Sequence, residues 1–448
     1  MNYKIAFSLI LLPFYITVSA QTYTLEQIKE KAINQNYKNK NSKIEIEEAK
    51  AQKKEAEMNY YPKVNATLFG MKTIDPLFKY SVQGGNLPVY DGNPANLQTA
   101  TQFAYFPGIN LELLNQLGVA SANVTQTVYA GNRIKTGNEL AKLNIDVKEK
   151  QQKLAQKEVL LKTEKEYWQV ITLQEKLKTV ESYENFLKKL HKEVSDAKKN
   201  GLAIRNDVLK IEIKISELKV NRTQLENGIM LATKQLAQTT GIEYNPNIHL
   251  TGDLNYTVPS STFYVDKESV LPNREEIQLL EKSIEATKLQ TKLKKGESLP
   301  SVAVGLSAFY LDLFEKNMDG KLNGMVFGTV SVPISNFWED KHKLKQLKLK
   351  EELAENALKE NSELLYLQID KAWTDLKEAE NKIKLYEETL VQTKENLRVE
   401  QQSYKNGLSL LSDVLQAQTQ VNETEEKLIE AKSDYIKATN NYLIVTGR

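Results

Sequence analysis

The chain has 448 residues, 26% of them charged and 41% hydrophobic, with a net charge of +2, 19 glycines, 11 prolines and no cysteine. Balanced charge gives no electrostatic reason to bind nucleic acid, and the missing cysteine excludes disulfides and an acylated N-terminal cysteine. Scarce helix breakers favour long amphipathic helices, and one elongated body, over two or three compact α/β domains.

Residues 1–20, MNYKIAFSLILLPFYITVSA, carry one early lysine, an apolar run and small residues at Ser19 and Ala20, the form of a cleavable secretory signal. A membrane anchor is the competing assignment, but Pro13 interrupts a run already short for spanning. No later stretch reaches the roughly 18 apolar residues of a spanning helix, so any membrane passage must be made by strands. A helical pattern covers 25–60 and stops before Pro62. Period-two alternation then predicts two strands. In one, Val64, Ala66 and Leu68 oppose Asn65 and Thr67; in the other, Ala122, Val124 and Val128 oppose Asn123, Thr125 and Thr127. Between them residues 75–108, rich in Gly, Pro and Asn, predict a long exposed loop.

From Asn132 to Lys199 nothing breaks a helical pattern, a length on the order of 100 Å. Leu173, Leu177, Val180, Leu187, Leu190, Val194 and Ala197 fall on one stripe, which predicts packing against neighbouring helices. The phrase KKNGLAIRNDVLK (198–210) ends that run. Its lysines suit a helix C-terminus, Gly201 can take the left-handed conformation that closes one, and Asn206 is the predicted N-cap, with Asp207 in the first turn of the next helix. The phrase thus predicts a helical hairpin tip. The returning helix carries Ile211, Ile215, Leu225, Ile229, Ala232 and Leu236, and a connector without helical periodicity occupies 242–272.

The chain then repeats itself. Gly407, Asp413 and Gly447 each lie 206 residues after Gly201, Asp207 and Gly241, with no insertion between these landmarks. The second half offers a helix over 274–295 before Pro300, then a strand with Val302, Val304, Leu306, Ala308 and Tyr310 opposite Ser301, Ala303, Gly305 and Ser307. After a shorter loop at 312–324, Val326, Val330, Val332 and Ile334 oppose Thr329 and Ser331. A second long helix has its stripe at Ala379, Ile383, Tyr386, Leu390, Leu397 and Tyr404. The second tip, YKNGLSLLSDVLQ (404–416), puts Ser412 at the predicted N-cap and Asp413 next to it. Ala417, Val421, Ala431, Tyr435, Ala438 and Tyr442 then keep the frame of the first returning helix. The organisation expected is a signal peptide (1–20), a first structural repeat (21–241), a connector (242–272) and a second repeat (273–448), a mainly α chain with a β portion.

Four strands cannot close a membrane barrel, since the smallest single-chain barrels have about eight, whereas three copies would supply about twelve. A small soluble sheet on a coiled-coil stalk also satisfies the pattern. The order helix, strand, strand, helical hairpin, written twice, with the opening YTLEQIKEKAINQN, the strand-to-helix phrase QTVYAGNRIKTG and the paired NGL…DVL tips, resembles the TolC family of outer-membrane efflux proteins over essentially all of the mature chain. The resemblance implies a homotrimer, with a twelve-stranded transmembrane β-barrel in the outer membrane of a Gram-negative bacterium, continued by a long α-helical barrel across the periplasm. Its partners would be a periplasmic adaptor, an inner-membrane pump and outer-membrane lipid.

The resemblance also implies roles for residues at the tips. Gly201, Leu202, Gly407 and Leu408 match positions that dock onto the adaptor; a Schellman pairing of each leucine back onto its helix explains them equally. Tyr404 and Asp207 match a polar link between hairpins, and Asp413 matches a pore aspartate, which symmetry would repeat around the axis; both aspartates could instead serve their own helix N-termini. Gln416 replaces a second ring aspartate and Ser409 a linking arginine.

No catalytic residue, metal or cofactor is expected. His191, His249 and His342 are scattered, NGLAIRND lacks the lysine and hydroxyl of a phosphate-binding loop, and Glu47 with Glu48 reads as a solvated helix face. KHKLKQLKLK (341–350) reads as a solvated face with a packed leucine stripe, and Trp168 and Trp373 as packing residues. The expected function is a passive exit duct for efflux or type I secretion. The alternative is a periplasmic adaptor or coiled-coil stalk without a pore.

Overall fold

A computed structural model of the chain describes residues 22–255, 258–314 and 319–448, so the expected signal peptide at 1–20 lies outside the described residues. In chain order the first repeat comprises β1 (Thr22–Tyr23), α1 (Leu25–Gln35), α2 (Tyr37–Met58), β2 (Lys63–Lys72), β3 (Phe78–Val82), β4 (Gly85–Pro88), β5 (Phe103–Phe106), β6 (Ile109–Leu113), β7 (Gln116–Ala130), α3 (Arg133–Lys199) and α4 (Arg205–Thr240). There follow β8 (His249–Leu250), α5 (Lys267–Val270), α6 (Glu275–Glu297), β9 (Ser301–Asp312), β10 (Lys321–Ser331), α7 (Asn336–Lys405) and α8 (Leu411–Val445). Two compact units emerge, and each draws on both repeats: one holds the residues up to Glu48 with Ile145–Ile284 and Leu353–Arg448, the other Ala49–Asn144 with Glu285–Glu352.

The first unit is helical. The helix predicted over 25–60 is two helices, because Asn36 takes an extended conformation (φ −61°, ψ 133°). Its Nδ2 donates to Thr239 O at 2.7 Å and its Oδ1 accepts from Lys38 N at 2.8 Å, so one side chain anchors the break and caps the restart. Two apolar clusters mirror each other. Ile28, Tyr167, Val170, Ile171 and Leu236 pack with Ile248, Leu250 and Leu254 of the connector. Ile369, Ala372, Leu376, Tyr435 and Tyr442 pack with Val270. Buried tyrosines fasten the connector at both places, Tyr167 donating to Thr251 O and Tyr435 to Val258 O, each at 2.5 Å. Arg274, itself buried, donates to Ile444 O and Val445 O at 2.5 and 2.8 Å, satisfying carbonyls at the end of α8 that have no intrahelical partner. Trp168 and Trp373 pack as expected, each at a buried tyrosine.

The second unit is built on one antiparallel sheet in the order β10-β9-β7-β2. Three differences from the predicted strands have local causes. β10 begins at Lys321, inside the predicted loop, and ends at Ser331, because Pro333 has no N–H for a ladder; Val332 and Ile334 lie beyond it. Val128 leaves the alternation at a bulge, where pairing slips between Thr127 and Tyr129. The predicted loop at 75–108 takes part in short antiparallel pairings, β3 with β6 and β4 with β5. Phe78, Tyr80, Val82, Ile109 and Leu111 share one ribbon face, while Lys79 with Glu112 (3.9 Å) and Ser81 with Asn110 (2.6 Å) share the other.

This sheet wears its apolar side chains outside. Leu68 is 86% exposed and Val326 79%, and Val64, Val304, Leu306, Leu322 and Val330 are exposed with them. The opposite face is polar near the middle, where Ser307 Oγ donates to Asn123 Oδ1 at 2.6 Å, and its residues on β9 from Ser301 to Phe309 are half-buried or buried. Among the described residues β2 and β10 each have one unpaired edge.

At the helix-bearing end of the sheet the chain is drawn tight. Gly131 (φ +59°) and Gly296 touch backbone to backbone, so a Cβ on either would strike the carbonyl of the other. Beside them buried Asp340 accepts from Lys294 Nζ at 2.7 Å and Ser298 Oγ at 2.6 Å. Lys294 first, and Ser298 next, hold the Asp340 carboxyl below its ordinary range. A depressed folded-state value contributes stability above the unfolded value and loses it as pH falls through the folded one. Asp340→Asn is therefore expected to lower the thermal midpoint at neutral pH, followed by circular dichroism. The difference from wild type should vanish once the pH lies below the depressed value; a difference that persists there would contradict this role.

Candidate functional site at the helical tips

The tips join α3 to α4 and α7 to α8, and the tip residues themselves lie in the first unit. Gly201 and Gly407 take left-handed backbones, φ +75° and +74°. Leu202 N donates to Ala197 O at 2.9 Å and Gly201 N to Lys198 O at 3.0 Å; Leu408 N to Ser403 O (2.8 Å) and Gly407 N to Tyr404 O (3.0 Å) repeat the pair. This is the doubly bonded Schellman closure, which glycine permits without strain. Its usual apolar contact is absent, since Leu202 is 83% and Leu408 81% exposed. The leucines therefore do not pair back onto their helices.

The predicted N-caps are corrected. Ile204 and Leu410 hold the extended cap conformation, and Asn206 and Ser412 sit inside the first turn. In α8 the helix restarts earlier because the acceptor comes from the third helical residue: Asp413 Oδ2 accepts Leu410 N at 3.0 Å. Ser412 Oγ approaches Asp413 Oδ1 at 3.4 Å, so both Asp413 oxygens are engaged within its own turn. Ile204 and Leu410 are exposed as well, giving each tip two uncovered apolar side chains. Sequence analysis missed this second pair, although the 206-residue offset marked it.

Beneath the tips Val180, Leu187, Leu190, Val194, Ile211 and Leu218 pack with Leu411 and Leu415, so the two hairpins share a core. Tyr404 packs against it, and its phenol is pushed up first by burial and then by the charges of Asp207 and Glu193. Asp207 is thus close enough for its charge to act on the Tyr404 phenol. Ser409, in place of a linking arginine, donates to Glu400 O at 3.3 Å within its own hairpin. Gln416 is exposed and lines an open groove of about 570 Å³ with Lys210, Lys214 and Glu423.

Residues 268–447 match the family described as outer membrane efflux protein. By sequence, no curated protein matches the chain. Among solved structures, the outer membrane protein VceC from Vibrio cholerae is 14% identical with a TM-score of 0.71, covering 94% of this chain and 96% of that one. The CmeC outer membrane channel of Campylobacter jejuni is 14% identical at 0.74, covering 94% and 85%. A membrane protein from Pseudomonas aeruginosa is 13% identical at 0.74, covering 94% and 93%. The fold is shared with these structures, and the outer membrane efflux protein family is matched through the second repeat, in line with the resemblance to the TolC family.

Exposed leucines that cover nothing should be dispensable for folding. Leu202→Ser combined with Leu408→Ser is expected to change helical stability by under about 0.5 kcal/mol in thermal melting. Asp413→Ala is expected to cost about 1 kcal/mol and to speed hydrogen exchange at the Leu410 amide; unchanged exchange there would contradict the capping role.

Proposed function

We propose that three copies of this chain form a passive exit duct in the outer membrane of a Gram-negative bacterium, serving tripartite efflux or type I secretion. The observation that carries this is the sheet, whose apolar face is uncovered while both edges lack partners. In water such a surface drives association, and in lipid an open edge leaves backbone groups unsatisfied. Edge-to-edge pairing of three sheets gives about twelve strands, within the range of membrane barrels. The long helices of the three copies then continue the barrel as a tunnel. The descriptions of VceC as an outer membrane protein and CmeC as an outer membrane channel agree with this assignment.

In this arrangement the tips are the docking end. Gly201, Leu202, Gly407 and Leu408, extended by Ile204 and Leu410, present small and apolar surface to a periplasmic adaptor that couples the duct to an inner-membrane pump. Asp413, repeated three times, forms a negative ring that favours cations at the constriction, and the Tyr404–Asp207 neighbourhood holds adjoining hairpins together. With Gln416 and Ser409 in place of charged partners, the resting constriction is held by fewer ionic links.

Purified protein in planar bilayers is expected to give discrete conductance steps, and Asp413→Ala to raise the conductance or relieve block by cations. Leu408→Ser with Leu410→Ser is expected to leave conductance intact and weaken adaptor binding severalfold. Bilayers that stay electrically silent with folded wild-type protein would overturn the duct.

A further inference from the structure

The helix-bearing end of the sheet carries a feature that a duct does not require. β2 and β9 begin there and β7 and β10 end there, as the register Ser331 to Ser301 to Ala130 fixes. Exposed aromatics collect at this level: Tyr60 and Tyr61 just before β2, Tyr129 at the end of β7, and Trp338 in the first turn of α7, itself 62% exposed. Amphipathic rings in this position suit the interface between hydrocarbon and headgroups.

Immediately beyond Trp338, α7 carries Lys341, Lys343, Lys345, Lys348 and Lys350, all exposed, and among the described residues none lies within an ion pair. Trp338, Lys341, Lys345 and Lys348 follow at steps of three, four and three, which stacks them on one helix face. The run is unfavourable for its own helix. Cations near an N-terminus oppose the macrodipole, and like charges three or four residues apart repel. The nearest buried carboxylate, Asp340, is committed to Lys294 and Ser298; Glu339 lies four residues before Lys343, off the stripe, and Glu351, three residues after Lys348, pairs with Lys288 at 3.5 Å.

We propose that this stripe binds anionic phospholipid headgroups in the leaflet at the helix-bearing end of the barrel, an inference that rests on the membrane-spanning sheet proposed above. Charge complementarity and continuity with the exposed apolar sheet face together select lipid over an acidic protein. The scale fits: Lys341 and Lys345 lie about 5 and 10 Å along the axis from Trp338, within reach of a headgroup layer about 5–7 Å deep per leaflet when long side chains snorkel. Lys348, about 15 Å away, lies beyond that layer, and Lys350 points to the opposite side of the helix.

The test uses full-length protein in vesicles of phosphatidylethanolamine with or without phosphatidylglycerol, one or other lipid carrying brominated chains. Quenching lost on Trp338→Phe is assigned to Trp338; the chain has 3 tryptophans, and Trp168 and Trp373 belong to buried clusters of the helical unit. Phosphatidylglycerol is expected to be preferred at Trp338 by about fivefold per lysine engaged. Lys341→Gln with Lys345→Gln should abolish the preference, the two Lys→Arg changes should keep it, Lys350→Gln should leave it unaltered, and high salt should screen it. Equal quenching by both lipids, or a preference that survives the double Gln variant, would overturn the lipid site and leave the duct standing. Absence of Trp338 quenching by either lipid would overturn the lipid site and the membrane-spanning sheet together.

Discussion

Four strands with an uncovered apolar face and two open edges impose the condition that every other part of the molecule answers to. Backbone amides at the edges need partners, and the outward side chains need either lipid or protein against them. The described residues of one chain supply neither. Edge pairing between copies, as proposed, would satisfy both at once, because closure would remove the edges and leave the apolar alternates, Val64, Leu68, Leu306 and Val326 among them, on the outside of the ring. The polar alternates, with Asn123 and Ser307 bonded across the strands, then face the enclosed space.

The duplication serves the same end. Each compact unit takes segments from both repeats, and beneath the tips the two repeats share one core. The connector is the device that fuses them, gripped by Tyr167 on one side and Tyr435 on the other, with Arg274 closing the end of α8. At the far end of the long helices the two tips use one solution twice: a left-handed glycine, a doubly bonded turn and an N-terminal aspartate. That economy leaves Leu202, Ile204, Leu408 and Leu410 free of any intramolecular duty. Side chains that stabilise nothing within the chain are available to a partner.

Much of this was legible from residue order alone. Period-two alternation located all four sheet strands, and the 206-residue offset located the left-handed glycine of each tip. What escaped has identifiable causes. The break at Asn36 depends on Thr239, a partner 203 residues away that no local pattern reveals. The ribbon at 78–113 was hidden by its glycines and prolines, although Phe78, Tyr80 and Val82 alternate there with Lys79 and Ser81. The N-caps were misplaced because Asn206 and Ser412 carry the favoured side chains, whereas Asp413 reaches back from the third helical position to do the work at Leu410. The lysine run after Trp338 looked like an ordinary solvated face until the strand ends placed it beside the exposed aromatics.

Closure of the sheet requires that β2 of one copy pair with β10 of the next. The natural chain contains no cysteine, so introduced pairs report without background. Single cysteines placed along β2, each combined with a series along β10, should yield oxidised dimers and trimers at one register and not at its neighbours. Only monomers at every register, from protein that is folded and membrane-inserted, would contradict closure of the sheet between copies.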